Sequence, residues 1–211
     1  SGLTSGGVTA TLGSLATQAF TGGGGNDTIT LGGDQTSGVM DGGAGTGDTL
    51  VLAAASNLDT ASEAALFANW EILRTANSFD MGLLSSLTGL QISATGGATT
   101  FSNLSATESD NIQILGAIDA AGVSFALADG SGTADSLTLK LGNNLAKTGT
   151  AVDADSLTLN LFETLNLEAV HGASATAGAQ RTATVADFTA DKLTSIVLTG
   201  SAFDLENVAT T

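Results

Sequence analysis

The chain has 211 residues, a formal net charge of −16 from 21 Asp plus Glu against 5 Lys plus Arg, and neither Cys nor Pro. Without Cys there is no disulfide framework, thiolate metal site or thiol nucleophile. The negative charge has the wrong sign for nucleic acid, and no apolar run approaches the ~20 residues that span a bilayer. Apolar residues make up 42% of the chain but aromatics only 4% and charged residues 12%, so a core must be built from Leu, Val, Ile and Ala. A Thr-, Ser- and Gly-rich surface without disulfides suits a secreted protein stabilised in another way, and its carboxylates are the donors that a hard cation takes.

In chain order, Val8-Thr9-Ala10-Thr11-Leu12 alternates as short strands do. Next comes Gly22-Gly23-Gly24-Gly25-Asn26-Asp27-Thr28-Ile29-Thr30, which fits the nonapeptide G-G-x-G-x-D-x-U-x at every fixed position. The spacing has a physical basis. Glycines allow a tight turn whose carbonyls face inward, the Asp adds a charged oxygen, and the apolar residue of the following strand, here Ile29, enters a core. Gly23, Gly25, Asn26 and Asp27 are therefore candidate calcium ligands. A second copy runs from Gly42 to Val51 with one extra residue, Gly47, and offers Gly43, Gly45 and Asp48. Between the copies, Asp34 and Asp41 are further candidate carboxylate ligands.

Thr60-Ala61-Ser62-Glu63 has capping-box spacing, with Leu66, Phe67 and Trp70 on one face beyond it. This predicts one short helix near 60–70, within residues 58–72, packed on a β core. The rest reads as short alternating strands at 87–93, 111–115, 137–141, 157–161 and 195–198; those at 137–141 and 157–161 place Leu on one face and polar residues on the other.

Three internal repeats run through the chain. Ala134–Leu141 recurs as Ala154–Leu161, and Gly43–Leu50 recurs as Gly130–Leu137. A looser unit opening on Trp70-Glu71-Ile72-Leu73 recurs from Phe162-Glu163-Thr164-Leu165. Asp129, Asp135, Asp153 and Asp155 share the local Gly/Asp pattern and are candidate metal ligands; solvated turn aspartates are the competing reading. Strands repeating between Gly/Asp turns predict an all-β parallel solenoid, with a two-sheet antiparallel sandwich as the alternative. Residues 1–57 are expected to form the calcium-binding segment and 58–211 the solenoid segment with the helix, packed as one continuous domain.

The single histidine, His171, reads as a loop residue, and the scattered cations and absent Tyr argue against an enzyme. The sequons at Asn26 and Asn103 read as coincidence.

At these residues the chain resembles a known family. Gly22 to Val51 is similar to the repeats-in-toxin (RTX) class of secreted calcium-binding proteins. The blocks Phe67–Leu73, Gly96–Phe101, Gly132–Leu137 and Phe162–Leu167, in this order, look like the C-terminal region of RTX-type surface-layer proteins of Gram-negative bacteria. The resemblance implies a right-handed parallel β-solenoid or β-roll, several Ca²⁺ ions, and type I secretion with folding outside the cell when calcium is met. It also implies self-assembly into a two-dimensional lattice or homo-oligomer at the cell surface, with lipopolysaccharide or another surface glycan as attachment partner. An adhesin or carbohydrate-contacting module of a large RTX protein is the alternative, and a non-catalytic module appended to a secreted enzyme a third.

Overall fold

The computed structural model describes residues 6–118, 121–142, 153–169, 183–200, 203–205 and 208–210. The chain divides into two compact units, 1–90 and 91–211. The expected segment boundary at 57/58 falls inside the first unit. His171 lies outside the described residues.

In the first unit, β1 (Thr9–Thr11), β3 (Thr28–Leu31), β5 (Thr49–Leu52) and β7 (Ile72–Thr75) form one parallel ladder. Between them β2 (Phe20–Thr21), β4 (Met40–Asp41) and β6 (Phe67–Ala68) form a second. The strand β8 (Phe79–Asp80) follows, and β9 (Gly89–Ile92) runs across the unit boundary. Thr9, Thr28, Thr49 and Ile72 stand in register, so successive coils use 19, 21 and 23 residues.

The second unit repeats the plan with longer strands. One parallel ladder joins β11 (Ile112–Ile114), β13 (Ser136–Leu141), β15 (Thr164–Ala169) and β17 (Ser195–Gly200). The other joins β10 (Thr99–Leu104), β12 (Val123–Leu127), β14 (Asp153–Asn160) and β16 (Ala183–Ala190), with β18 (Phe203–Leu205) and β19 (Val208–Thr210) both on β16. Every strand pair described is parallel, as a β-solenoid or β-roll requires and an antiparallel sandwich forbids. An unbroken parallel ladder needs each strand N–H, which proline lacks.

In-register stacking makes the core a set of columns. Ile29, Leu50 and Leu73 follow one another with 0% exposure, and in the second unit Leu137 stacks on Leu165 and Leu139 on Leu167, all of them buried. Phe101 stacks on Phe125 with centroids 5.8 Å apart, as the parallel register between β10 and β12 dictates. Outward positions carry polar rungs: Asn166 Nδ2 donates to Thr138 Oγ1 at 3.3 Å and Asn160 Nδ2 to Ser124 Oγ at 3.3 Å.

The helix near 60–70 is shorter than its sequence signal predicts: α1 covers only Ala61–Ala64. The Thr60/Glu63 capping box forms, and then the coil overrides the helical pattern. Phe67 is needed in the column Phe20–Met40–Phe67, and the N–H groups of Met40 and Gly42 donate to Leu66 and Ala68 carbonyls. A single turn gains little on its own, so the ladder wins. Trp70 sits fully buried against Phe20, and its Nε1 donates to the Met40 carbonyl at 3.0 Å. A second one-turn helix, α2 (Ala106–Ser109), opens on the capping box Ser105-Ala106-Thr107-Glu108.

The repeat Ala134–Leu141/Ala154–Leu161 falls on β13 and β14, which belong to different sheets. Its two halves do not stack. The alternation Leu-Thr-Leu-x-Leu suits any half-buried strand, so the likeness carries no register.

Two outcomes follow. Leu50→Ala is expected to lower unfolding free energy by about 2–5 kcal/mol in urea titration, whereas the outward Thr30→Ala should stay within about 0.5 kcal/mol. Glu108 is 4% exposed, and burial lifts its carboxyl above the ordinary value near 4.5, against the bonds from Ser105. A raised acid contributes most to stability when protonated, so its contribution is whole below the ordinary value and lost as pH climbs through the folded one. Glu108→Gln keeps the acceptor for Ser105 without the buried charge. It should be at least as stable as the parent at pH 7 in urea titration, with the difference gone near pH 4.

Candidate metal centre

Register builds the site. Val8, Asp27, Asp48 and Glu71 each immediately precede the aligned residues Thr9, Thr28, Thr49 and Ile72, so they form a single column at the start of the first ladder. The carbonyls of Val8, Asp27 and Asp48 accept the N–H groups of Thr28, Thr49 and Ile72 at 2.7, 2.7 and 2.9 Å. The carboxylates reach back the other way. Asp27 Oδ1 accepts the Val8 N–H at 2.5 Å, Asp48 Oδ1 the Asp27 N–H at 2.6 Å, and Glu71 Oε2 the Asp48 N–H at 2.9 Å. Each acid thus grips the backbone of the column residue one coil earlier.

The Gly turns hold these acids in place. The nonapeptide occupies the turn between β2 and β3, and its imperfect copy the turn between β4 and β5. Neighbouring turns lie too close for side chains: a Cβ on Gly25 would come within 2.7 Å of Gly7 N, and one on Gly43 within 2.5 Å of Gly23 O. Gly43 also adopts φ 102°, a conformation open to glycine. A Cβ on Gly45 would lie 2.5 Å from Asp48 Oδ1 and 2.7 Å from Oδ2, so Asp48 folds back against its own turn.

The predicted site residues divide accordingly. Gly23, Gly25, Asn26, Asp27, Asp41, Gly43, Gly45 and Asp48 come together in the stacked turns. Asp27 is fully buried, and its second oxygen accepts the Gly23 N–H at 2.8 Å. Asn26 Oδ1 accepts the Thr46 N–H at 3.3 Å. Asp41 Oδ1 accepts from the Gly43 N–H at 3.0 Å and Asn69 Nδ2 at 2.8 Å. Asp48 is the exception: it is fully buried, and its Oδ2 has no hydrogen-bond donor. Burial pushes its carboxyl up from the ordinary value; the Asp27 N–H and, more weakly, the Gly45 N–H oppose this, and the Asp27 and Asp41 charges add to it. Burial and then, against the pull of the Asp48 N–H, the Asp48 charge push Glu71 up in the same way. Asp34 is exposed beyond the far end of β3 and stands apart from this turn column.

The second unit reproduces half of the arrangement. Asp129 and Asp135 lie in the turn between β12 and β13. Asp135 N–H donates to Glu163 Oε2 at 2.8 Å, and the Glu163 and Thr164 N–H groups return to the Asp135 carbonyl at 2.9 and 3.1 Å. Asp135 Oδ2 is also buried without a donor, folded against Gly132 as Asp48 is against Gly45. A cleft of about 210 Å³ beside it is lined by Ser109, Asp110, Asp135 and Ser136. Asp129 is exposed and bonded to Ser131, whose hydroxyl and N–H hold its carboxyl below the ordinary value. Asp153 and Asp155 lie on β14, in the other sheet, away from the Asp129–Asp135 turn.

The acids that the sequence reading missed are Glu71 and Glu163. Both stood in a recognised repeat, but only register shows that they face Asp48 and Asp135. Among the described residues, no group of three or more His, Cys, Asp or Glu side chains converges as a side-chain metal cage. Any cation held here would have to take its remaining ligands from backbone carbonyls, hard oxygen donors like the Asp48 carboxylate.

No protein-family model matches the chain, and neither the curated proteins nor the solved structures searched contain a match. Among the described residues, no helix is long and apolar enough to cross a membrane.

Gly45→Ala should displace the Asp48 carboxylate and lower stability by about 1–3 kcal/mol in urea titration, as overpacking does. Gly96→Ala meets open space and should change stability by less than about 1 kcal/mol.

Proposed function

We propose that the chain is a calcium-dependent structural domain of a bacterial surface layer, folding and assembling outside the cell. The observation that carries the reading is the Asp48 oxygen, buried without a donor inside a Gly-rich turn stacked on a complete calcium nonapeptide. A buried carboxylate oxygen without a donor calls for a positive partner. Carboxylate and backbone carbonyl oxygens are the donor set that a hard divalent cation takes.

The net charge of −16 fits the same reading. Without cations the chain repels itself, and bound Ca²⁺ offsets the repulsion while tying coils together. Cytosolic calcium is too low to fill weak sites, so folding is deferred to the outside. An adhesin role would share the calcium chemistry and add a glycan site; no specific observation favours it.

Circular dichroism of the chain in EGTA and in millimolar calcium tests the proposal. Calcium should raise β content and melting temperature, with association followed by sedimentation. Asp48→Asn should lose most of the calcium response, while its metal-free form at pH 7 is at least as stable as the parent, because a buried charge is gone. Identical spectra and melting with and without calcium would sink the reading.

A further inference from the structure

Two turns stand out as copies of one device. Asn69-Trp70-Glu71 joins β6 to β7, and Leu161-Phe162-Glu163 joins β14 to β15. Each opens on a non-glycine residue with positive φ, 57° at Asn69 and 75° at Leu161. Each places a fully buried aromatic in the middle, Trp70 or Phe162. Each ends on a glutamate whose Oε2 accepts the N–H of an aspartate one coil earlier, at 2.9 Å for Asp48 and 2.8 Å for Asp135.

The surrounding bonds match as well. The aspartate carbonyl accepts two successive N–H groups in both units, from Glu71 and Ile72 in one and from Glu163 and Thr164 in the other. The glutamate carbonyl then accepts the N–H and the hydroxyl of a threonine in the next coil, Thr88 or Thr194. Both gripped aspartates keep one buried oxygen without a donor. A Cβ on Gly42 would meet Asn69 O and one on Gly130 would meet the Leu161 side chain, so each short turn lies directly on the long Gly/Asp turn before it.

We propose that Glu71 and Glu163 are positioning residues, clasps that close a long Gly/Asp turn from the side of the next coil by holding the aspartate's backbone. In a run of nonapeptides, the following Asp grips the preceding backbone, as Asp48 grips Asp27. Where the Gly-rich sequence stops, the three-residue turn has no such loop, and the longer glutamate spans the coil instead. The clasp fixes where the aspartate carboxylate stands and leaves its second oxygen free. For Asp48 the consequence for calcium affinity rests on the function proposed above; the clasp itself does not.

Amide hydrogen exchange at Asp48 and Asp135 in the full chain tests this, alongside calorimetric titration with calcium chloride. Glu71→Ala should speed Asp48 amide exchange at least about tenfold, the scale of a lost charge-assisted bond, and leave Asp135 unchanged. Glu163→Ala should do the reverse. Gln keeps the acceptor and the reach, so Glu71→Gln and Glu163→Gln should stay within about threefold of the parent. Asp keeps the charge but not the reach, so Glu71→Asp should behave like Glu71→Ala. If the alanine variants do not fold, the Gln and Asp variants decide alone. Calcium half-saturation should weaken in Glu71→Ala and Glu71→Asp and hold in Glu71→Gln. Equal exchange in the Gln and Asp variants, or alanine variants with unchanged Asp48 and Asp135 amides, overturns the clasp. A parent chain that takes no calcium overturns the proposed function, while the exchange data still judge the clasp.

Discussion

Parallel, in-register pairing is the constraint on which everything else rests. Once Thr9, Thr28, Thr49 and Ile72 align, the residues before them must align too, and three of those four are acids. The same rule stacks Ile29, Leu50 and Leu73 into a core column. One hydrogen-bonding pattern therefore sets both the apolar interior and the acidic edge. Coil length varies from 19 to 23 residues in the first unit without disturbing either, because the extra residues enter as turns and short helices.

A column of acids, with Asp27 and Asp48 fully buried, would be self-defeating without partners. Here the partners are backbone N–H groups, one for each acid donated by the column residue a coil earlier. Asp27 takes two N–H groups, from Val8 a coil earlier and from Gly23 in its own turn. Asp48 takes one from Asp27 and keeps an oxygen in reserve. Burial raises its carboxyl above the ordinary value, because it disfavours the charged form. On the function proposed above, a bound cation would offset this unfavourable local balance and so couple binding to folding.

Much of this was legible beforehand, for identifiable reasons. The nonapeptide at Gly22–Thr30 located the turn because glycines and Asp at that spacing encode a particular backbone path. The alternation at 137–141 and 157–161 located strands, since period 2 belongs to the pleat. What the residues could not show was which strand lies beside which. Ala134–Leu141 and Ala154–Leu161 look like neighbours and lie in different sheets. Phe67 and Trp70 look helical, and serve instead a strand column and a buried turn. Glu71 and Glu163 sit in plain sight in a repeat, yet their partners are 23 and 28 residues back along the chain, a separation fixed only by register.

The most direct test of the account is an experimental density map of the chain grown with calcium, with anomalous scattering to identify the ion. The account predicts an ion bonded to Asp48 Oδ2 and to carbonyl oxygens of the Gly42–Gly47 turn. A map in which calcium is present in the solution and Asp48 Oδ2 stands with no ion beside it would contradict it.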